Sequence, residues 1–255
     1  MSIIDSFDDK SEAIIKVEDV YNKSNIKIDV CIINFSYKIM DALIEHDLIE
    51  LVDEDSIRSI SCNYPLYIYK GTNIGIIKTT VGAPLTSGLI AEIAYVFSCD
   101  NFVLFGSCGG LDKNIENSKI IIPTHAYRDE GTSYHYVKPS DYIEIKNHDL
   151  VSSVLDKLEV PYVKGKTWTT DAFYRETRNN MAKRKNEGCI AVEMEVSACQ
   201  AVADYYNLNF YAFLYREDNL DSVQWEKGMM SVFKLDKRMK HLFIALEIAD
   251  YIIKK

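Results

Sequence analysis

Two glutamates spaced as alternate residues, in the stretch Ala191-Val192-Glu193-Met194-Glu195-Val196-Ser197-Ala198, stand where an apolar run gives way to a helical pattern. An ionised carboxylate taken out of water without a partner is expensive, so acids at such a junction need hydrogen-bond donors. A polyhydroxylated ligand would supply them; solvent or a salt bridge at the strand end would serve as well. A second candidate is Phe105-Gly106-Ser107-Cys108-Gly109-Gly110, where glycines permit positive φ and close backbone approach and Ser107 adds a hydroxyl. That combination can hold an anion on backbone amides, and a plain tight turn accounts for the same glycines. Val81-Gly82-Ala83-Pro84 ends a third β-rich run.

The elements that must position these residues follow from apolar runs alternating with helical patterns. Strands are expected over 30–35, 74–82, 101–106, 119–127, 161–170, 189–194 and 209–215, and helices over 36–50, 84–98, 147–159, 175–187 and 195–207. A closing helix within 225–254 is carried by Phe233, Leu235, Met239, Leu242, Phe243, Leu246 and Ile248. Strands made of Val, Ile, Leu and Phe are covered on both faces, which predicts a three-layer α/β/α sandwich with a central mixed, mostly parallel sheet. Ligands of such sheets gather where strands end. Residues 29–255 are expected to form one catalytic domain, and residues 1–28 an N-terminal extension, helical through Ala13, Ile14, Val17, Val20 and Tyr21.

Composition narrows the partners. A formal charge of −9 over 255 residues argues against a nucleic-acid or anionic-membrane surface, since both need clustered Lys and Arg. The acidic start MSIIDSFDDKSE is unlike a signal peptide, and no apolar run is long enough to span a membrane, so a cytoplasmic protein is expected. Six scattered cysteines without a CxxC pair read as reduced core thiols. GxxxxGK[ST], GxGxxG and HExxH are absent and the five histidines are dispersed, which leaves no expectation of a metal or a nucleotide cofactor.

FGSCGGL, TTDAFY, AVEMEVSA and YREDNLD, in this order and spacing, resemble the nucleoside phosphorylase family that includes purine nucleoside and uridine phosphorylases. The resemblance spans about residues 30–250. It implies cleavage of the N-glycosidic bond of a ribonucleoside by inorganic phosphate, giving free base and ribose 1-phosphate, with phosphate as co-substrate and no cofactor. It implies that Glu195 accepts hydrogen bonds from the ribose 2′- and 3′-hydroxyls, that Met194 packs on the sugar with Glu193 beside its hydroxyls, and that Phe173 faces the base. Asp218 matches the acid that stands beside N7 of a purine, where it would protonate the leaving group. Glu217 stands where the family usually has Ser, an added charge expected to raise the pKa of Asp218. The stretch Phe173-Tyr174-Arg175-Glu176-Thr177-Arg178-Asn179 lacks the Gln with which uridine phosphorylases read uracil, which favours purines over pyrimidines.

The same resemblance breaks on the phosphate side. After the first strand the chain reads Asn34-Phe35-Ser36-Tyr37-Lys38 in place of Gly-Asp-Pro-x-Arg, and Leu104-Phe105 precedes Gly106 where an Arg is expected. Ser107, Gly106 and adjacent amides remain as phosphate donors, with Arg58 as the arginine a neighbouring subunit would lend in a homodimer or hexamer. Lys38 and Arg128 are possible substitutes, and His135 and Arg128 are candidates for substrate contact, although Arg128 could equally pair with Asp129 or Glu130. A nucleosidase using water and a nucleoside-binding protein are the alternatives.

Overall fold

The computed structural model describes residues 2–53, 57–58, 63–228 and 235–255. Its strands are β1 (Val30–Asn34), β2 (Ile49–Asp53), β3 (Leu66–Tyr69), β4 (Ile74–Lys78), β5 (Asn101–Gly110), β6 (Ile120–Asp129), β7 (Tyr142–Glu144), β8 (Tyr162–Thr170), β9 (Cys189–Glu193) and β10 (Asn209–Asn219). The helices are α1 (Val17–Val20), α2 (Tyr37–Glu45), α3 (Ala83–Phe97), α4 (Ser133–Tyr136), α5 (His148–Lys157), α6 (Arg178–Asn186), α7 (Val196–Tyr205) and α8 (Leu235–Ile253).

The strands form one mixed sheet with helices on both faces. Because side chains alternate along a strand, neighbours in β1 and β5 enter different cores. Ile33 and Leu104 pack with α3 and α7, whereas Ile32 and Val103 pack with α2, α5 and α8. This two-sided burial is what the uniformly apolar strands demand. The two longest registers, β10 on β5 and β6 on β8, are parallel. β5 also pairs with β1 and, at Gly109 and Gly110, with β9. Pairings of β9 with β8, β8 with β6 and β6 with β10 return to β5, so five strands close a circuit.

The glycine-rich segment is strand, not turn. β5 continues through Gly110, and Gly106, Gly109 and Gly110 are not among the positive-φ glycines. They serve close packing instead. A Cβ at Gly106 would lie 3.1 Å from the Phe35 ring, one at Gly109 2.6 Å from Leu220, and one at Gly110 would collide with the Arg216 side chain. β10 likewise runs past Tyr215 through Arg216, Glu217, Asp218 and Asn219, all buried.

Two other expectations change, and the closing helix lies inside its expected span. The helix after β1 stops at Glu45, and Asp47 with φ 56° turns the chain into the β2–β3 hairpin, which the sequence pattern did not reveal. In the N-terminal extension the helix is limited to the four residues of α1 and a 3₁₀ turn at Ile3–Asp5, with Ile14 99% exposed; so short a helix cannot repay nucleation alone. The closing helix begins by Leu235, while Trp225 lies in a loop; Phe233 and Cys62 fall outside the described residues. The other five cysteines are buried free thiols. Among the described residues no helix is long and apolar enough to cross a membrane.

Candidate active site

The ends of β5, β9 and β10 and Val81 in the turn before α3 border a cavity of about 370 Å³. Its walls include Phe35, Gly106, Ser107, Phe173, Met194 and Leu220. Into it come five acids, Glu176, Glu193, Glu195, Glu217 and Asp218, and no Lys or Arg among the described residues. An adjoining cavity of about 600 Å³ shares Phe173, Glu176, Asp218 and Leu220 and is also bordered by Tyr174, Arg178, Met181 and Trp225.

The two glutamates of the opening motif have different tasks. Glu193, at the end of β9, spends both carboxylate oxygens on the protein: one accepts from the Thr169 and Thr167 hydroxyls, the other from the N–H groups of Glu195 and Val196 at 2.7 Å each. Those N–H groups open α7, where helix donors have no intrahelical partner and a negative charge is favoured. Glu193 borders the cavity, and these bonds fix the junction from which Glu195 projects. Glu195 lines the cavity and accepts the Gly82 N–H at 2.7 Å on Oε1. Gly82, with φ 127°, holds a conformation that L side chains rarely adopt, so the Val81-Gly82-Ala83-Pro84 turn acts as a donor aimed at the acid. Burial pushes Glu193 up to about 7 and Glu195 up to about 8, the latter with help from the charge of Glu193.

On the opposite wall Phe173 sits in the 3₁₀ turn Phe173–Arg175, 39% exposed and facing both cavities. Asp218 is 5% exposed, and its Oδ2 accepts the Trp225 indole N–H at 2.6 Å. Burial raises its pKa, while Trp225 and Arg216 work in the other direction. Desolvation dominates because the strand carries Asp218 into the protein, and Glu217 and Asp218 disfavour each other's charged form. Glu176 lies close enough to feel Asp218 and is raised to about 7, chiefly by burial. Trp225→Phe removes a donor that favours ionised Asp218, so the Asp218 pKa is expected to rise. If the protonated acid is the active form, the alkaline limb of the kcat/KM pH profile moves to higher pH; an unmoved limb would separate Trp225 from the acid's titration.

The phosphate-side candidates scatter. Ser107 and Gly106 line the cavity, Ser107 with its side chain against Glu217. Lys38 is exposed on α2 and Arg58 is exposed where it bridges to Asn63, and neither lines this cavity. Arg128 is not a substrate-contact group: its guanidinium bonds Ser133, Val137, Lys138 and Ser140 and lies 4.2 Å from the Tyr134 ring centre, tying down α4. Neighbouring acids are not its hydrogen-bond partners. His135 is exposed and outside the lining.

Three arginines organise the site, of which Arg216 and Arg238 had no expected role and Arg178 was a candidate reader of the base. Arg216 packs over Gly110 and donates from Nε to the Asp218 carbonyl at 3.1 Å. Arg178 holds the Ser222 and Val223 carbonyls, fixing the loop that carries Trp225. Arg238, from α8, donates to Ser36 Oγ at 2.9 Å and lies 3.7 Å from Glu217. The signal available for Arg216 was a charged run, Arg-Glu-Asp, continuing an apolar strand without a break. No group of three or more His, Cys, Asp or Glu able to hold a metal occurs among the described residues.

Residues 30–241 match the family model described as phosphorylase superfamily. Purine nucleoside phosphorylase DeoD-type 1 of Shewanella oneidensis is 31% identical over 138 residues, which are 53% of this chain and 58% of that protein. Among solved structures, purine nucleoside phosphorylase from Toxoplasma gondii superposes with a TM-score of 0.75 at 15% identity, covering 98% of this chain and 100% of that one. AMP nucleosidase from Bacteroides thetaiotaomicron gives 0.71 at 17% identity, covering 89% and 90%. At these identities the superpositions speak for the shared fold, while the family match covers most of the sequence. The chain belongs to the phosphorylase superfamily.

Proposed function

We propose that this cavity cleaves the N-glycosidic bond of purine ribonucleosides, with water as the nucleophile. The observation that carries the choice of nucleophile is the charge of the lining: five acids and no Lys or Arg among the described residues. Phosphate is an anion, and one like charge held about 4 Å away costs about 4 kcal/mol at an effective dielectric of 20. Water incurs no such repulsion. Apolar Phe35 and Leu104 form the wall where the family resemblance leads one to expect phosphate-binding groups.

In this reading the ribose diol donates to Glu195, with Met194 against the sugar and Phe173 against the base. Glu195 must be ionised to accept both bonds, and the hydroxyl donors supply the stabilisation that its burial withholds. The negative charge then faces the positive character that develops on the ribosyl ring as the bond to N9 lengthens. Asp218, kept protonated to higher pH by burial, delivers a proton to N7 of the departing purine.

Phosphorolysis is the second reading. It is favoured by Ser107, whose place beside the cavity matches a phosphate donor, and by the purine nucleoside phosphorylases among the relatives. It would require a homodimer or hexamer in which Arg58 reaches a neighbour's cavity. Incubation with inosine, adenosine and uridine, with and without phosphate, separates the two. Hydrolysis predicts base release of equal rate in both buffers, with free ribose as product. Base release that depends on phosphate and yields ribose 1-phosphate would falsify the hydrolytic assignment.

A further inference from the structure

We infer that Glu217 is the base that takes the proton from the attacking water, held for that task by Ser107 and Arg238. The inference rests on the hydrolytic reading and adds the group that makes water a competent nucleophile.

The other four acids of the lining have places already. Glu193 is engaged at both oxygens by the α7 junction, Glu195 is on the Gly82 amide at the sugar position, and Asp218 is on Trp225. Glu176 borders both cavities beside Phe173 and Asp218, which is the base side. Glu217 borders the first cavity and not the second, against Ser107. It thus lies on the side where the family resemblance puts the nucleophile. Its 6% exposure removes it from bulk water, and three separate elements converge on it: Ser107 from β5, its own β10, and Arg238 from α8, itself anchored on Ser36.

Arg238 and Ser107 favour the ionised carboxylate, against burial and the neighbouring Asp218, which favour the neutral acid. A buried carboxylate whose proton affinity is raised but which keeps a guanidinium nearby is suited to accept a proton near neutrality. The C1′–N9 bond breaks with its electron pair going to the purine, which takes a proton at N7 from Asp218. A water oxygen bonds to C1′ and its released proton passes to the Glu217 carboxylate. The products are ribose and free purine, and return of the proton from Glu217 to Asp218 resets the site. The alternative role for Glu217 is structural, a clamp between α8 and the sheet.

Glu217→Gln keeps the shape and removes the base. We expect kcat for inosine hydrolysis to fall by about 10²–10⁴-fold with little change in KM. Glu217→Ala with added hydroxylamine, an uncharged nucleophile stronger than water that loses its proton after attack, is expected to recover base release and to form the N-ribosyl adduct, a recovery that a clamp would not give. Arg238→Gln supplies a reading that survives if the Glu217 variants fail to fold. The carboxyl would then face Ser107, Asp218, Tyr215 and Cys108 without the guanidinium. Its pKa would rise, and the acid limb of kcat/KM would move to higher pH. Wild-type turnover that requires phosphate would overturn the hydrolytic reading, and this inference with it. Phosphate-independent hydrolysis with Glu217→Gln within tenfold of wild type, with no hydroxylamine effect on Glu217→Ala, or with an unmoved acid limb in Arg238→Gln, would overturn the inference alone.

Discussion

Asp218→Asn is expected to lower kcat for inosine by about 10²–10⁴-fold, the usual worth of a positioned general acid. The amide can still accept the Trp225 indole N–H that the carboxylate accepts at 2.6 Å, so the loop over the base keeps its anchor and the loss is chemical. What the amide cannot do is release a proton to N7. The control is a ribofuranoside whose leaving group departs as a stable anion, such as p-nitrophenolate: there the variant should keep most of its activity. Equal losses on both substrates would show that Asp218 supports the fold of the cavity and not the departure of the base.

Glu195→Ala should have an effect of similar size by a different route. Two hydrogen bonds to a charged acceptor are worth roughly 1.5–3 kcal/mol each, so kcat/KM is expected to fall by about 10²–10⁴-fold. The size depends on the carboxylate remaining where it is, and Glu193, which accepts the Glu195 and Val196 amides, ensures that. A substrate cycle tests the assignment. A 2′,3′-dideoxynucleoside lacks the diol bonds, so Glu195→Ala should cost it much less kcat/KM than it costs inosine, the remaining loss being the charge that faces the ribosyl ring. A variant that loses as much on the dideoxy substrate as on inosine would place the role of Glu195 elsewhere.

Much of the fold was legible because strands buried on both faces must be apolar, and residues 30–33, 120–122 and 210–215 carry that demand openly. What escaped was short or two-natured. The β2–β3 hairpin is at an edge, where four or five residues give too little pattern to distinguish strand from loop. Gly106, Gly109 and Gly110 read as turn-formers because glycine's backbone freedom is its commonest use, whereas here the missing side chains make room for Phe35, Leu220 and Arg216. The charged end of β10 contradicted strand composition because Glu217 and Asp218 border the cavity there.

Motif spacing brought Glu195, Met194, Phe173, Ser107 and Asp218 to one cavity wall or another. It could not tell that Glu193 would be consumed by a helix start, since that depends on Thr167 and Thr169 arriving from β8. Nor could it find Trp225 or Arg238, which lie in loops and helices whose patterns reflect packing. Their relevance comes only from side-chain reach across the fold, 7 residues away for the Trp225–Asp218 bond and 202 for the Arg238–Ser36 bond.

The parallel register that sets residues 209–219 against 101–110 also dictates when the cavity comes into being. The amides of Asn209 and Asn101 meet across 108 residues of chain, and contacts of such separation form late because the loop between them must first be closed. Glu217 and Asp218 therefore reach Ser107 and Glu195 only when β10 docks beside β5. During refolding, binding competence should appear with the last phase and not with the bulk of the secondary structure. A nucleoside present from the start would leave the early steps untouched and draw the finished state forward by mass action.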